Sequence, residues 1–400
     1  MSSSTSQQGN TFSATLLVTG CCMGAGMIGL PVVSALAGFI PSTLAMIFCY
    51  AFAVTIGFLL VEATLWFDHR VNLITLSQFA LGKWGRIITW LFFLFLFYCL
   101  FVAYIDGVGQ IISEALSNVL HVSLPRSVGI LISVPCVGGI VYMGTKTVSI
   151  MNRCFLLISI LSFCTLVSLG LPKIQGSALL RMEWKATIAT IPILLICFGY
   201  QNLVPLLVHY AKRNIYSIRC AILIGNLIPF LIYSLWDFVI LGLLSKTDNA
   251  TLSQLIAQNN MATDLLASAS NVSSVLLFTQ IFSFFAIITP FMANTLAFVD
   301  FLKDGLKIPH DSNERELRVY ILALAPPTIL TLLYPHLFLR ALGFAGGFAD
   351  VILFAIMPTL IVWIGRYVKK IKGPYELMGG KPLLIAVLLI SCFILCIKKG

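Results

Sequence analysis

Charged side chains are rare in this chain: 15 Asp and Glu and 25 Lys and Arg in 400 residues, against 59% apolar residues. Each acid inside an apolar run is therefore a candidate for chemistry. Asp106, in Tyr104-Ile105-Asp106-Gly107, and Asp350, after Gly346-Gly347, are the clearest cases. An ionisable group at membrane depth is costly, so either one is a candidate to carry a proton or line a polar cavity. The competing reading is an acid reaching the outer interface. Glu62, Asp237 and Asp300 fall near the ends of apolar runs, and an interfacial position accounts for them. All five histidines lie in connections or at run ends, which argues against a metal site. The eleven cysteines form no C-x-x-C pair and read as small buried hydrophobes.

Backbone is the second source of chemistry. The first apolar stretch reads Thr19-Gly20-Cys21-Cys22-Met23-Gly24-Ala25-Gly26-Met27-Ile28-Gly29-Leu30-Pro31, and a later one reads Pro192…Cys197-Phe198-Gly199-Tyr200-Gln201-Asn202…Pro205. An interrupted helix survives in lipid only where protein or a wet cavity satisfies the freed groups. A half-helix starting near Ile28 presents unpaired amides and the positive end of its dipole, which attract a carboxylate. Carbonyls ending a half-helix near Cys197 and Phe198 suit an ammonium. An α-amino acid carries both groups.

The competing reading of either cluster alone is helix packing, since Gly20-x-x-x-Gly24 fits a small-residue contact. Gly24-Ala-Gly26-Met-Ile-Gly29 also spells a dinucleotide fingerprint, but it lies inside a charge-free apolar run with no strand before it. Beside the breaks, or on neighbouring spans, stand Tyr104, Phe198, Tyr200, Phe282 and Phe285, each a ring contact or a core residue. If a ligand carries a ring hydroxyl, Gln201, Asn202 or a residue elsewhere would read it.

The elements that must position these groups follow from composition. A soluble domain carries roughly 25% charged residues; here the figure is 10%, with a mean hydropathy of +0.99. That excludes a soluble or disordered chain and points to an all-α polytopic membrane protein in contact with a lipid bilayer. At about 20 apolar residues per span, eleven spans are expected, at 12–37, 42–66, 86–113, 127–143, 153–171, 187–208, 217–244, 273–302, 318–334, 343–365 and 382–397. Seventeen of the 25 basic residues then fall on the side of the N-terminus, which makes the N-terminus cytoplasmic and the C-terminus external. The net charge of +10 is thereby a topology signal, with no nucleic acid needed to account for it.

The breaks fall in the first and sixth spans, and the third and eighth are both long. This divides the chain into a polar tail (1–11), a five-helix repeat (12–171), a second, inverted five-helix repeat (187–365) and an eleventh helix (382–397). Broken helices at matching positions of inverted repeats point to the binding site of a secondary transporter. The 27 residues 246–272, with sequons at Asn249 and Asn271, form the one large external loop. No extramembrane domain fits anywhere, and no HExxH or GxSxG occurs, so an enzyme is not expected.

Thr19-Gly20…Gly24-Ala-Gly26-Met27…Leu30-Pro31, Cys197-Phe198-Gly199-Tyr200…Pro205 and Ala345-Gly346-Gly347-Phe348…Pro358 resemble the bacterial aromatic amino acid permeases, the tryptophan/tyrosine permease family. The resemblance covers about 12–397. It implies a leucine-transporter-type fold of two inverted five-helix repeats plus one helix. It also implies uptake of an aromatic amino acid, tyrosine favoured, by proton symport with alternating access in the bacterial inner membrane, with no cofactor beyond the proton. Gly24, Gly26 and Met27, with Gly29 beside them, would meet the substrate carboxylate, and Phe198, Gly199 and Tyr200 its amine or side chain. Asp106 and Asp350 are the proton-coupling candidates. A sodium- or proton-coupled carrier of another neutral amino acid stays open, as does a passive channel, although no ring of charge suggests one. The sequence does not separate tyrosine, tryptophan and phenylalanine, nor does it give the oligomeric state.

Overall fold

The computed structural model describes residues 11–24, 26–244, 273–306, 313–334 and 336–397. The expected external loop with its two sequons lies outside them, as does nearly all of the polar tail. Among the described residues all regular structure is helical. The helices are α1 (Thr11–Cys22), α2 (Gly26–Ala37), α3 (Phe39–Leu65), α4 (Leu73–Leu120), α5 (Arg126–Tyr142), α6 (Thr145–Gly170), α7 (Trp184–Cys197), α8 (Val204–Tyr210), α9 (Ile215–Leu243), α10 (Ser273–Leu306), α11 (Asn313–Leu333), α12 (Phe338–Val368) and α13 (Gly380–Ile397). Among the described residues eight spans are long and apolar enough to cross a membrane, counting α7 and α8 as one; the bent pair α1 and α2 makes nine. The apolar helices α5 and Leu317–Leu333 are shorter. The protein is thus a polytopic, multi-pass membrane protein.

Local chemistry sets the boundaries. Asn72 caps α4 by accepting from the Thr75 amide, and Asn214 caps α9 by accepting from that of Ser217. Gly82 adopts φ 64° and ψ −148°, a conformation favouring glycine, and separates a short opening segment of α4 from its long span. That segment, beginning at Leu73, precedes the expected start at 86. The α12 span contains two π-helical stretches, Ala345–Ile356 and Ile364–Val368. No hydropathy pattern announces these, and wide turns of this kind cluster at functional sites.

Lipid is as apolar as a leucine side chain, so close backbone approach, not hydrophobic burial, holds such helices together. α1 packs on α9, α2 on α7, α4 on α5 and α12, and α6 on α10. A Cβ on Gly129 of α5 would overlap the Gly109 carbonyl of α4, and one on Gly346 would overlap the Pro192 carbonyl of α7. These two approaches bring Arg126 to Asp106 and set Asp350 against the end of α7. The connection after α6 is also anchored: Gln175 N–H donates to the Gly242 carbonyl (3.0 Å) and Glu183 N–H to that of Ala37 (2.9 Å). The Arg181 carbonyl occupies the space a side chain on Gly38 would need.

Candidate functional site

Between the two helix interruptions lies a cavity of about 300 Å³, lined from α1 and α2, α4, α6, the α7–α8 break, α10 and α12. α1 stops at Cys22 and α2 resumes at Gly26, bent by 59°. In the second interruption α7 ends at Cys197, the backbone leaves helical geometry at Phe198, and a single 3-10 turn, Gln201–Leu203, leads to Pro205 at the start of α8. The Cys22 and Cys197 carbonyls, both at half-helix ends, are joined by one hydroxyl. Tyr233 of α9 donates to Cys22 O at 2.7 Å and lies 3.1 Å from Cys197 O. A Cβ on Gly26 would come within 2.7 Å of Cys197 Sγ, so the two breaks touch. The Cys197 carbonyl, offered by sequence for an ammonium, therefore already has one partner.

The cavity wall carries polar atoms with no partner among the described residues. Asp350 Oδ1, Asn152 Oδ1 and Thr289 Oγ1 are buried without hydrogen-bond partners, and all three residues line the cavity. The Asp350 carboxylate faces Gly199, whose missing Cβ would stand 3.6 Å from Oδ1. On another part of the wall Asn294 Nδ2 donates to the Tyr104 hydroxyl at 2.9 Å. That leaves the Asn294 carbonyl oxygen as an acceptor and the Tyr104 proton as a donor. The Cys21 thiol stands 3.7 Å from both the Gly199 carbonyl and Asn202 Oδ1, spanning the gap between breaks. Pro290 of α10 faces Gly24, and lacking an N–H it leaves the Ala286 carbonyl without its usual helical donor.

Of the residues singled out in the sequence, Gly24, Gly26, Tyr104, Gly199, Asn202 and Asp350 come together on this wall. The others stand behind it or elsewhere. Met27 is buried, and Gly29 faces Leu339 and Leu342 of α12. Phe198 is wedged between the rings of Tyr50 and Tyr233. Tyr200 donates to the Ala53 carbonyl of α3 (3.1 Å), and Gln201 is buried with Oε1 unpartnered. Phe282 packs on Trp236 and Phe163, and Phe285 on Phe155. Asn152, Thr289 and Asn294 were missed in sequence. A lone amide or hydroxyl in a span is common as a packing residue, and only their convergence distinguishes them.

Asp106 is off the cavity. Its Oδ1 binds Arg126 Nη1 (2.8 Å), its Oδ2 accepts from the Phe338 amide that opens α12 (2.9 Å), and Arg126 Nη2 reaches Gln110 Oε1 (2.5 Å). Two of the acids expected near span ends are turned into the protein. Glu62 is buried and bound to Arg366 of α12 through both oxygens, while accepting from the Leu377 amide at 2.8 Å. Asp237 is buried in α9 with the Ser34 hydroxyl beside its carboxylate and no cation paired with it among the described residues. Both sit on helix faces turned to protein, which spacing along the chain does not reveal. Asp300 is exposed.

The sequence profile of the tryptophan/tyrosine permease family matches residues 7–398. The chain is similar to tyrosine-specific transport system 1 of Haemophilus influenzae, 29% identical over 397 residues, covering 96% of this chain and 95% of that protein. It is likewise similar to the tryptophan-specific transport protein of Pseudomonas aeruginosa, 30% identical, with 96% and 93% covered. The low affinity tryptophan permease of Escherichia coli is 26% identical, with 95% and 93% covered.

Proposed function

The chain belongs to the tryptophan/tyrosine permease family, a family of transport proteins and not of enzymes, and from that premise we propose that it imports an aromatic amino acid, tyrosine favoured, by proton symport with alternating access. The observation that carries this reading is the cavity bounded by both helix breaks, with an unpartnered carboxylate on its wall. The α2 end at Gly24 and Gly26 offers a positive dipole to the substrate carboxylate. Asp350 and the carbonyls near Gly199 take the ammonium. The Tyr104–Asn294 pair stands where the ring's polar group would lie, offering an acceptor to a phenol O–H or indole N–H. A site built to bind such a group discriminates strongly against a ring that lacks it.

Asp350 is the proton carrier of this scheme. A buried carboxylate with no cation beside it changes charge readily when a ligand ammonium arrives or leaves. Asp106 already has a guanidinium and an amide as partners, so its role in the scheme is to hold α4, α5 and α12 together. Phe198 and Tyr200 shape the second break from behind, and Met27 and Gly29 fix how α2 enters it.

The architecture we infer has eleven spans, with α5 and α11 crossing as well, arranged as two inverted five-helix repeats and a final helix, N-terminus inside the bacterial inner membrane. Helix contacts come in matched pairs that support this arrangement. The first span packs on the seventh and the sixth on the second. The third packs on the tenth and the eighth on the fifth, and third-with-ninth is matched by eighth-with-fourth. The test is uptake by the purified protein in liposomes. Labelled tyrosine should accumulate under an inward proton gradient, without sodium, and be competed by unlabelled tyrosine and tryptophan more strongly than by phenylalanine. Non-saturable flux, or accumulation that needs sodium, would overturn the reading.

A further inference from the structure

The outer surface of α4, α11 and α12 carries a second hollow, an open groove of about 580 Å³ that shares no lining residue with the cavity. Its origin is local. Pro326 and Pro327 lack amide protons, which frees the carbonyls of Leu322 and Ala323 from their helical donors. The Tyr98 hydroxyl of α4 donates to the Leu322 carbonyl at 2.9 Å and fixes α11 at a distance set by that bond. The groove runs along α11 from Pro326 to Tyr334, about 12 Å at 1.5 Å per residue. That is close to the ~15 Å of one leaflet's hydrocarbon. Its walls are apolar along this length, from Phe95 and Cys99 to Leu330 and Ala341.

One end differs. Arg340 lines the groove, is exposed, and has no ion pair or hydrogen bond with any described residue. It lies in the first turn of α12, two residues after Phe338, and Tyr334 follows the last residue of α11 beside it. The polar end thus sits where both helices end, at the membrane interface. A guanidinium there keeps its charged head in the headgroup region, where phosphate is the counter-ion it meets. Basic pockets between membrane helices on the cytoplasmic side take anionic lipid headgroups. In the inferred topology Arg340 faces the outer leaflet, where the same match of a guanidinium's paired donors to a phosphate applies.

We propose that this groove is a binding site for an anionic phospholipid, with its phosphate on Arg340 and one acyl chain lying along α11 between Tyr98 and Pro326–Pro327. The groove has the polarity of such a lipid, charged at the interface and apolar toward the bilayer centre. Binding there would brace α12 just outside the stretch that carries Asp350.

The test uses the full chain in vesicles of phosphatidylcholine with a minor fraction of photoactivatable phosphatidylglycerol, followed by mapping of the crosslinks. Crosslinks should concentrate on α11 and on α12 near Arg340. Arg340→Gln should reduce them at least five-fold, whereas Arg153→Gln, an exposed basic site elsewhere, should leave them unchanged. Leu330→Trp, which fills the groove without touching the charge, should reduce them as well, so a folding failure of one variant does not decide the matter. An equal yield with photoactivatable phosphatidylcholine, or an unchanged yield in Arg340→Gln, would overturn the proposal. So would full displacement by inorganic phosphate, or a Cys99–Cys99 crosslink between two copies that excludes the lipid.

Discussion

Two kinds of buried carboxylate coexist in this molecule. At Glu62 and Asp106 every oxygen has a partner: Arg366 and the Leu377 amide in one case, Arg126 and the Phe338 amide in the other. At Asp350 one oxygen is buried with none, and Asn152 and Thr289 on the same cavity wall share that condition. Removing one partner of a satisfied buried pair strands the other, which is strongly destabilising. An unsatisfied polar atom is already carrying its cost, so its removal should spare stability and strike function. The satisfied clusters hold helices in place; in the proposed scheme the cavity cluster finds its partner in the ligand.

Four substitutions test that contrast, in descending order of their effect on stability. Glu62→Ala leaves Arg366 with only the exposed Glu376 at 3.4 Å and the Leu377 carbonyl. It should cost about 3 kcal/mol, the low end for breaking a buried pair, read as a fall in the thermal unfolding midpoint in detergent. A loss under about 1 kcal/mol would remove Glu62 from the class of locks. Asp106→Asn keeps an acceptor for the Phe338 amide but loses the ion pair. It should cost about 1.5–3 kcal/mol by the same measurement, and proton-driven uptake in liposomes should retain its pH dependence.

Tyr233→Phe deletes the hydroxyl bound to the Cys22 and Cys197 carbonyls and should cost about 1 kcal/mol. Because those carbonyls end the two half-helices, the same variant should raise the KM for uptake more than it lowers kcat; an unchanged KM would separate Tyr233 from the site. Asp350→Asn should leave the unfolding midpoint unchanged or raise it. It should also abolish accumulation driven by a proton gradient while preserving exchange of labelled for unlabelled substrate. Intact proton-driven accumulation in that variant would move the coupling role elsewhere, with Asp237, buried and without a paired cation among the described residues, the next residue to replace.

Both interruptions were legible in the sequence because glycine and proline, clustered inside a charge-free run, weaken a helix where lipid offers its backbone no substitute partner. The long spans were legible because lipid imposes length and hydropathy; of the eleven expected, eight or nine among the described residues are long enough to cross, and Arg126–Tyr142 and Leu317–Leu333 are shorter. What stayed hidden depends on partners distant along the chain. Asp106 reads as an isolated acid until Arg126 arrives from the next helix through the Gly109–Gly129 approach. Glu62 meets its arginine about three hundred residues later. The π-helical stretch around Asp350 has no compositional mark, since it differs from an α-helix by backbone register alone. Phe198, Phe282 and Phe285 were attractive by position, but aromatic rings fill gaps as readily as they meet ligands, and here each packs against another ring.

The connection between α6 and α7 has a practical consequence for anyone who wishes to label the protein. Surface segments are the usual sites for inserting an epitope or a fluorophore, but tolerance depends on how the backbone is bonded. Here Gln175 and Glu183 give their amides to carbonyls at the ends of α9 and α2, and Arg181 is seated against Gly38. A tag spliced into 175–183 would unpick the ends of two spans at once. The turn at 121–125 is the alternative only in its first half, because Ser117 already holds the Leu124 amide.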